Sequence, residues 1–135
     1  MNEVLVWTLQ NARRQTLNLV EDLRDEQMCL QNFVGENHPV WILGHLLLGD
    51  VYLLHLLKLQ DLSEDFGELL DKYGPASKPI SNAEFYDSKE ILVERLQQTN
   101  LLKLESIRQM TREDLTQPTP DDFLAKAQPT IEHHL

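Results

Sequence analysis

Apolar residues recur every three or four positions along the first part of the chain. Polar residues such as Arg13 and Asn18 lie between them, and the repeating series is Leu5, Leu9, Ala12, Thr16, Leu19 and Leu23. This spacing places the series as one stripe on a helix, with the polar residues on its other faces. The sequence therefore predicts an amphipathic first helix over about residues 2 to 24.

A second helix is predicted from about residue 39 to 60, after Asn37-His38-Pro39, because an Asn followed by Pro can cap and open a helix. Residues 40–57 are apolar on nearly every face, interrupted only by Gly44, His45, Gly49, Asp50 and His55. Eighteen residues is the minimum for a membrane span, but Asp50 at the centre would be costly in lipid and no basic flank orients the segment. We therefore interpret it as a buried core helix.

A long crossover follows, because residues 61–79 are rich in Gly, Pro and Ser; within it, residues 66–73 can form a short helix. Asp87-Ser88-Lys89-Glu90 resembles a capping box, with Asp87 as the cap, and predicts a third helix over about residues 88 to 110. Asn100 interrupts the apolar stripe of this helix. A solvated boundary position is the favoured interpretation, and a buried polar contact to a neighbouring helix is the alternative.

The last part of the chain is proline-punctuated over residues 117–129, where Phe123 and Leu124 are predicted to pack on the core. Thr130 is a plausible N-cap, so a fourth helix is predicted to begin at about residue 131. The fold class is therefore all-α: a single domain over residues 1–135, an up-and-down four-helix bundle with a long crossover between helices two and three. The fourth helix is incomplete, so another segment or chain is expected to fill the groove that remains.

Length and charge limit the class of protein. The chain has 135 residues, enough for one domain, and 12 Lys and Arg against 22 Asp and Glu give a net charge of −10. This balance argues against nucleic acid as a partner. A single cysteine, Cys29, excludes an internal disulfide and is predicted to be a small buried hydrophobe rather than a nucleophile. The first residues lack the pattern of a signal peptide, so we expect a soluble cytoplasmic protein without a membrane partner.

The histidines are the candidates for chemistry. His45 lies in the most apolar part of the chain, where it is either a core histidine bonded to a polar partner or a metal ligand. His38 is about 10 Å away along the helix axis and His55 about 15 Å, so neither can share an ion with His45. We predict that His38 neighbours the helix cap, that His55 lies at the rim, and that Asp50 is a salt-bridged or hydrogen-bonded core carboxylate.

His133 and His134 are adjacent near the end of the sequence, about 100° apart on a helix, so only one of them can face inward. Solvent exposure of both is the favoured interpretation, and an approach of one of them to His45 is the alternative. The chain contains no H-E-x-x-H, no Gly-rich phosphate loop, no G-x-S-x-G and no paired cysteines.

Residues 38–46, HPVWILGHL, resemble the helix-two signature of the DinB-like superfamily, approximately H-P-x-W-x-x-G-H-L. The segment Tyr73-Gly74-Pro75-Ala76-Ser77 is similar to the loop before helix three of that family, and Gln128-Pro129-Thr130-Ile131 is similar to its entry into helix four. The resemblance covers most of the chain and implies a four-helix bundle that is often a homodimer.

The resemblance also implies a divalent metal, which is nickel, zinc or iron in different members of the family. One histidine of helix two and an H-x-x-x-H pair of helix four hold it; His45 matches the first ligand, and the pair has no counterpart in these 135 residues. Members of known activity are metal-dependent transferases that use a low-molecular-weight thiol such as mycothiol, bacillithiol or glutathione.

Two functional hypotheses follow. The first is a DinB-like metal-binding protein, a candidate thiol-dependent transferase, whose metal site is incomplete in a sequence cut short near the start of helix four. The second is a non-catalytic helical module that binds a partner helix, or a second copy of itself, through an apolar groove between helices two and three.

Overall fold

The structure is a computed structural model that describes residues 2–120 and 130–135, apart from the side chain of His133. The predicted core residues Phe123 and Leu124 lie outside these ranges. The described part consists of helices and connections and contains no strand, which confirms the all-α class. Its helices are α1 (Glu3–Val20), α2 (Asp25–Met28), α3 (Pro39–Leu56), α4 (Phe66–Tyr73), α5 (Lys89–Gln109) and α6 (Arg112–Leu115), with 3₁₀ turns at Ala83–Phe85 and Ile131–His134.

The three long helices agree with the predicted ones, with differences at their ends. Helix α3 ends at Leu56, four residues early, and Lys58 adopts a left-handed conformation with φ 58° shortly afterwards. Helix α5 is capped by the side chain of Ser88, which accepts from the backbone N–H of Ile91, so the prediction of Asp87 as the cap was wrong. Where a fourth α-helix was predicted to begin, Ile131–His134 forms a 3₁₀ turn.

Helix α1 runs antiparallel to α5. At one end, Asn2 Nδ2 donates to the carbonyl oxygens of Ile107 and Met110, at 2.7 Å each. At the other end, Lys89 Nζ donates to the carbonyl oxygens of Val20 and Glu21 at 3.0 and 2.9 Å. Because the last carbonyls of a helix lack intrahelical partners, this lysine satisfies the end of α1 with a positive charge.

Helices α3 and α5 run in the same direction. His38, at the start of α3, bonds to Ile80 and packs on Tyr86, just before α5 begins, while Asp50 in the middle of α3 reaches Thr99 in the middle of α5. The long helices therefore run up, down and down. The predicted long crossover, which contains α4, returns the chain to the same end of the bundle.

Helix α3 is the core helix of the domain. It is long and apolar enough to cross a membrane, but 56% of it is buried inside the fold. The main core cluster joins its residues to α4 and α5, with Leu43, Leu47 and Val51 among buried residues that include Leu69, Leu92 and Leu96. This burial favours the predicted core helix of a soluble protein over a membrane span.

The buried face of α1 overlaps the predicted stripe in part: Leu5 and Leu9 pack against a core cluster, but the buried valines lie one residue further along the chain than Leu5 and Leu19. Val6 and Val20 are buried and the Arg13 side chain is only 10% exposed, whereas Ala12 is exposed and Leu19 is 82% exposed. The prediction that Arg13 lies on an outer face was therefore wrong. Its ion pair with Asp50 turns this face of α1 towards the other helices.

Candidate functional site

His45 lies nearly two turns after the start of α3 and has a fixed ring orientation. Its Nδ1 is 2.8 Å from the carbonyl oxygen of Tyr73, at the end of α4. A carbonyl oxygen only accepts, so Nδ1 carries the hydrogen and Nε2 has the free lone pair. The side chain is half-buried, so this lone pair belongs to a ring at the edge of the core.

The indole ring of Trp41 stacks against the His45 ring. The two residues are four positions apart and share a face of α3, and their rings stack with centroids 4.7 Å apart at an angle of 10°. Trp41 Nε1 donates to Ser77 Oγ at 2.7 Å, and Ser77 Oγ donates to the carbonyl oxygen of Gly74 at 2.6 Å. The loop after α4 therefore fixes the position of the Trp41 ring.

Gly44 lets α4 approach α3 closely enough for this arrangement. A Cβ at this position would overlap the ring of Tyr73, which is fully buried. Tyr73 Oη donates to Asp87 Oδ2 at 2.8 Å and accepts from the backbone N–H of Asp87 at 3.1 Å. Burial, with the added effect of Asp87, raises the pKa of Tyr73 far above its ordinary value, so the phenol remains a donor.

His38 is the N-cap of α3 and has both ring nitrogens engaged. Nδ1 accepts from the backbone N–H of Trp41 at 3.3 Å, so Nε2 donates to the carbonyl oxygen of Ile80 at 2.7 Å. Its side chain is buried and packs edge-on against Tyr86, with centroids 5.0 Å apart. It has no free lone pair for a metal, and it is the cap itself rather than the predicted neighbour of a cap.

Neither His55 nor His134 has a described contact with His45. His55 is exposed in the last turn of α3, as predicted, with its ring 6.5 Å from that of Tyr52. His134 is half-buried, with Nε2 3.0 Å from Thr119 Oγ1, so the prediction of an exposed His134 was wrong. The side chain of His133 lies outside the described part.

The described residues do not assemble a metal-binding set. Within residues 2–120 and 130–135, no group of three His, Cys, Asp or Glu side chains is placed to hold an ion. Cys29 is buried, and burial followed by the negative charge of Asp25 raises the pKa of its thiol. This confirms Cys29 as a small hydrophobe. His45 therefore offers one oriented ring nitrogen, Nε2, without a complete set of further ligands among the described residues.

Asp50 is the centre of a buried charge cluster that joins three helices. Its carboxylate accepts from Arg13 of α1 at 2.9 and 3.1 Å, from Thr99 of α5 at 2.8 Å and from Lys103 of α5 at 3.1 Å. The side chains of Arg13, Asp50 and Lys103 are 10%, 6% and 7% exposed. This confirms Asp50 as a salt-bridged core carboxylate, whereas its partners Arg13, Thr99 and Lys103 were not predicted.

The charges of the cluster determine the protonation of Asp50. Burial alone would raise the pKa of the carboxyl, but the hydrogen bond from Arg13, the charges of Lys103 and Arg13, and the Thr99 hydroxyl together hold it below its ordinary value. Asn100, on the same part of α5, is buried, so its prediction as a solvated boundary position was wrong. Its Oδ1 has no hydrogen-bond partner among the described residues.

The fold and the site define a class: an all-α bundle in which a Trp-x-x-Gly-His segment is locked against the loop after a short helix. The model of the DinB superfamily matches residues 8–135, and the chain belongs to this superfamily. Comparisons with curated proteins and with solved structures found no match.

Proposed function

We propose that this DinB-superfamily protein binds a divalent metal, which is nickel, zinc or iron, with Nε2 of His45 as a ligand. The observation that supports this proposal is the hydrogen bond from His45 Nδ1 to the carbonyl oxygen of Tyr73. Metal-binding histidines commonly donate their second ring N–H to a carbonyl or carboxylate, which fixes the tautomer and aims the other nitrogen. Stacking on Trp41 further restricts the ring.

The described residues fit one ligand position of such a site and not a complete set. Further ligands would come from outside them, and the reaction we propose for the completed site is transfer of a low-molecular-weight thiol to an electrophile. A bound divalent cation supplies the positive charge that lowers the pKa of a thiol. The contribution of this chain is to hold His45 between Trp41 and the Tyr73 carbonyl, and we derive no reaction step from one ligand.

Substituting His45 with alanine is expected to weaken Ni²⁺ or Zn²⁺ binding at least about tenfold, because removing even a group that orients a ligand costs that much. Isothermal titration calorimetry of the parent and the variant measures this loss. His55→Ala is the matched control, since His55 lies on the same helix, is exposed, and is expected to leave the affinity unchanged. Equal affinity in the parent and His45→Ala, or no binding by the parent, would contradict the proposal.

A second candidate function is a helical module that binds a partner helix or forms a homodimer, and the surface of α1 supports it. The α1 stripe, defined as Leu5, Leu9, Ala12, Thr16, Leu19 and Leu23, is half-buried or exposed along its length. Helices α3 and α5 pack directly against each other, so the exposed stripe on α1, and not a groove between those two helices, favours this candidate. Leu5 and Leu9 of the stripe pack against a core cluster, whereas Leu19 is 82% exposed, so the exposed apolar surface of the stripe is centred on Leu19. Exposed apolar surface can mark an interaction site.

Under this second candidate, the protein is expected to be a homodimer by size-exclusion chromatography with light scattering, and Leu19→Lys is expected to shift it to the monomer. The Leu19 side chain is 82% exposed, so the substitution removes little packing within the fold. Leu101→Lys is the matched control, because Leu101 is 68% exposed on α5 and outside the α1 stripe. A monomeric parent protein, or dissociation by both variants alike, would exclude dimerisation through this stripe.

A further inference from the structure

We propose that the groove between the C-terminal half of α1 and the N-terminal half of α5 is a docking surface for a cationic amphipathic peptide segment. This groove, called the α1–α5 groove below, encloses about 670 Å³. Leu17, Val20 and Val93 form its apolar floor. Val20 is buried while Leu17 and Val93 are half-buried, so apolar surface remains accessible between the two helices.

Carboxylates line the rim of the α1–α5 groove. Glu21, Glu90 and Glu94 are exposed, and in the part of the chain that the structure describes they take part in no ion pair. A carboxylate at Glu90 suits the first turn of α5, because negative charge there complements the helix dipole. The helix dipole does not explain a carboxylate at Glu94, which lies in the second turn of α5. At Glu21, which follows the last turn of α1, the dipole of α1 disfavours a negative charge.

Lys89, the cation in the lining of the groove, forms no ion pair with these carboxylates among the described residues. Lys89 Nζ donates to the carbonyl oxygens of Val20, Glu21 and Leu23, which occupies the three donors of its ammonium group. Arg14, one turn earlier on α1, donates to Asn11 Oδ1 at 2.6 Å, away from the groove. Three glutamates against this one lysine leave the lining of the groove with a net charge of 1 − 3 = −2 above an apolar floor.

This combination selects a cationic amphipathic segment as the occupant. Apolar side chains of such a segment would lie on the floor, and its Lys or Arg side chains would face the rim, as in other helix-in-groove complexes. The α5 side of the groove, from Lys89 to Gln97, is about 12 Å long, which matches roughly two turns of a docked helix. A second copy of this chain is disfavoured here, because its net charge of −10 would bring like charges together.

The test is fluorescence anisotropy with a labelled helical peptide of about 14 residues, with Leu on one face and Lys on the other. We expect the parent protein to bind it and to bind the same peptide with Glu in place of Lys at least about tenfold more weakly. The double variant Glu90→Gln with Glu94→Gln is expected to bind the Lys peptide about fivefold to tenfold more weakly, the sum of two exposed ion pairs.

The matched control is the double variant Glu64→Gln with Glu68→Gln. These exposed residues have the same spacing outside the groove, so the control protein carries the same net charge. It is expected to bind within about twofold of the parent. An equal loss in both double variants would overturn the proposal, because net charge alone would then explain binding.

Location is tested by the amide NMR spectrum of the parent protein with the Lys peptide. Shifts confined to residues 17–21 and 89–97 would support the α1–α5 groove. Shifts centred on Leu5, Leu9 and Ala12 of the α1 stripe, with none in residues 89–97, would overturn it, because they would show that the peptide recognises the apolar surface of the second candidate function. Neither result depends on metal binding at His45, so this test and the metal test fail independently.

Discussion

Replacing Asp50 with alanine is expected to lower the free energy of unfolding by about 3–5 kcal/mol, the range found when one partner of a buried ion pair is removed. The substitution leaves Arg13 and Lys103 buried beside each other without a carboxylate. It also removes the acceptor of the Thr99 hydroxyl, so α1, α3 and α5 lose their shared polar contact. Urea denaturation followed by circular dichroism measures the loss.

The matched control is Asp65→Ala, which breaks an ion pair with Arg95 whose side chains are 28% and 40% exposed. Exposed pairs of this kind contribute about 1 kcal/mol or less, so the control is expected to lose far less stability. A triple variant with Arg13→Met, Asp50→Leu and Lys103→Met removes every charge together and is expected to recover most of the loss. A loss at Asp50 no larger than at Asp65 would contradict a buried, paired carboxylate.

The same urea measurements at lower pH test the protonation of Asp50. Its pKa in the folded protein is depressed, so its contribution to stability is present above the unfolded pKa, about 3.9, and is lost as the pH falls through the folded pKa. The stability of Asp50→Asn, which cannot titrate there, is therefore expected to fall less steeply in acid than that of the parent. Asp65 also has a lowered pKa and contributes the same dependence to both proteins.

Sequence periodicity was sufficient for the main helices because their stability comes from apolar faces that repeat along the chain. The short helix predicted at residues 66–73 is confirmed as Phe66–Tyr73, where Leu69 and Tyr73 are buried one turn apart. The continuous apolar run of α3 was correctly interpreted as a core helix, because Asp50 made a membrane span costly. Each of these predictions depends on residues near one another in the sequence.

The orientation of α1 could not be predicted because it depends on a distant partner. Pattern analysis treats arginine as a surface residue, but the Asp50 carboxylate lies 37 positions from Arg13 and makes its burial favourable. The capping prediction at α5 failed for a similar reason. The Asp87 carboxylate accepts from the Tyr73 phenol instead, which leaves Ser88 as the cap.

At the candidate site, the sequence identified His45 and left two interpretations open: a core histidine with a polar partner, or a metal ligand. The structure shows the polar partner, the Tyr73 carbonyl oxygen, and the two interpretations are compatible because this bond leaves Nε2 free. A hydrogen bond to a backbone carbonyl 28 positions away cannot be predicted from a single sequence, because any residue supplies such a carbonyl. The resemblance to the DinB-like family covered both the α3 segment and the loop after Tyr73, but it did not predict the contact between them.

Gly44→Ala is expected to lower the free energy of unfolding by about 3 kcal/mol, at the upper end of what overpacking costs. The added methyl group would overlap the Tyr73 ring, which is fully buried and is bonded to Asp87, so the ring cannot simply rotate away. Moving α4 instead would displace the Tyr73 carbonyl oxygen from His45 Nδ1. Urea denaturation measures the stability, and ¹⁵N NMR of the His45 ring reports loss of the fixed tautomer.

Gly49→Ala is the matched control on the same helix, because a Cβ at Gly49 meets nothing within 4 Å. Alanine is favoured over glycine in a helix by about 1 kcal/mol, so this variant is expected to be more stable than the parent and to keep the His45 tautomer. The two substitutions add the same methyl group five residues apart and are expected to change stability in opposite directions. Stabilisation by both would show that α3 and α4 are not in close contact at Gly44, and the support for an oriented His45 would be lost with that contact.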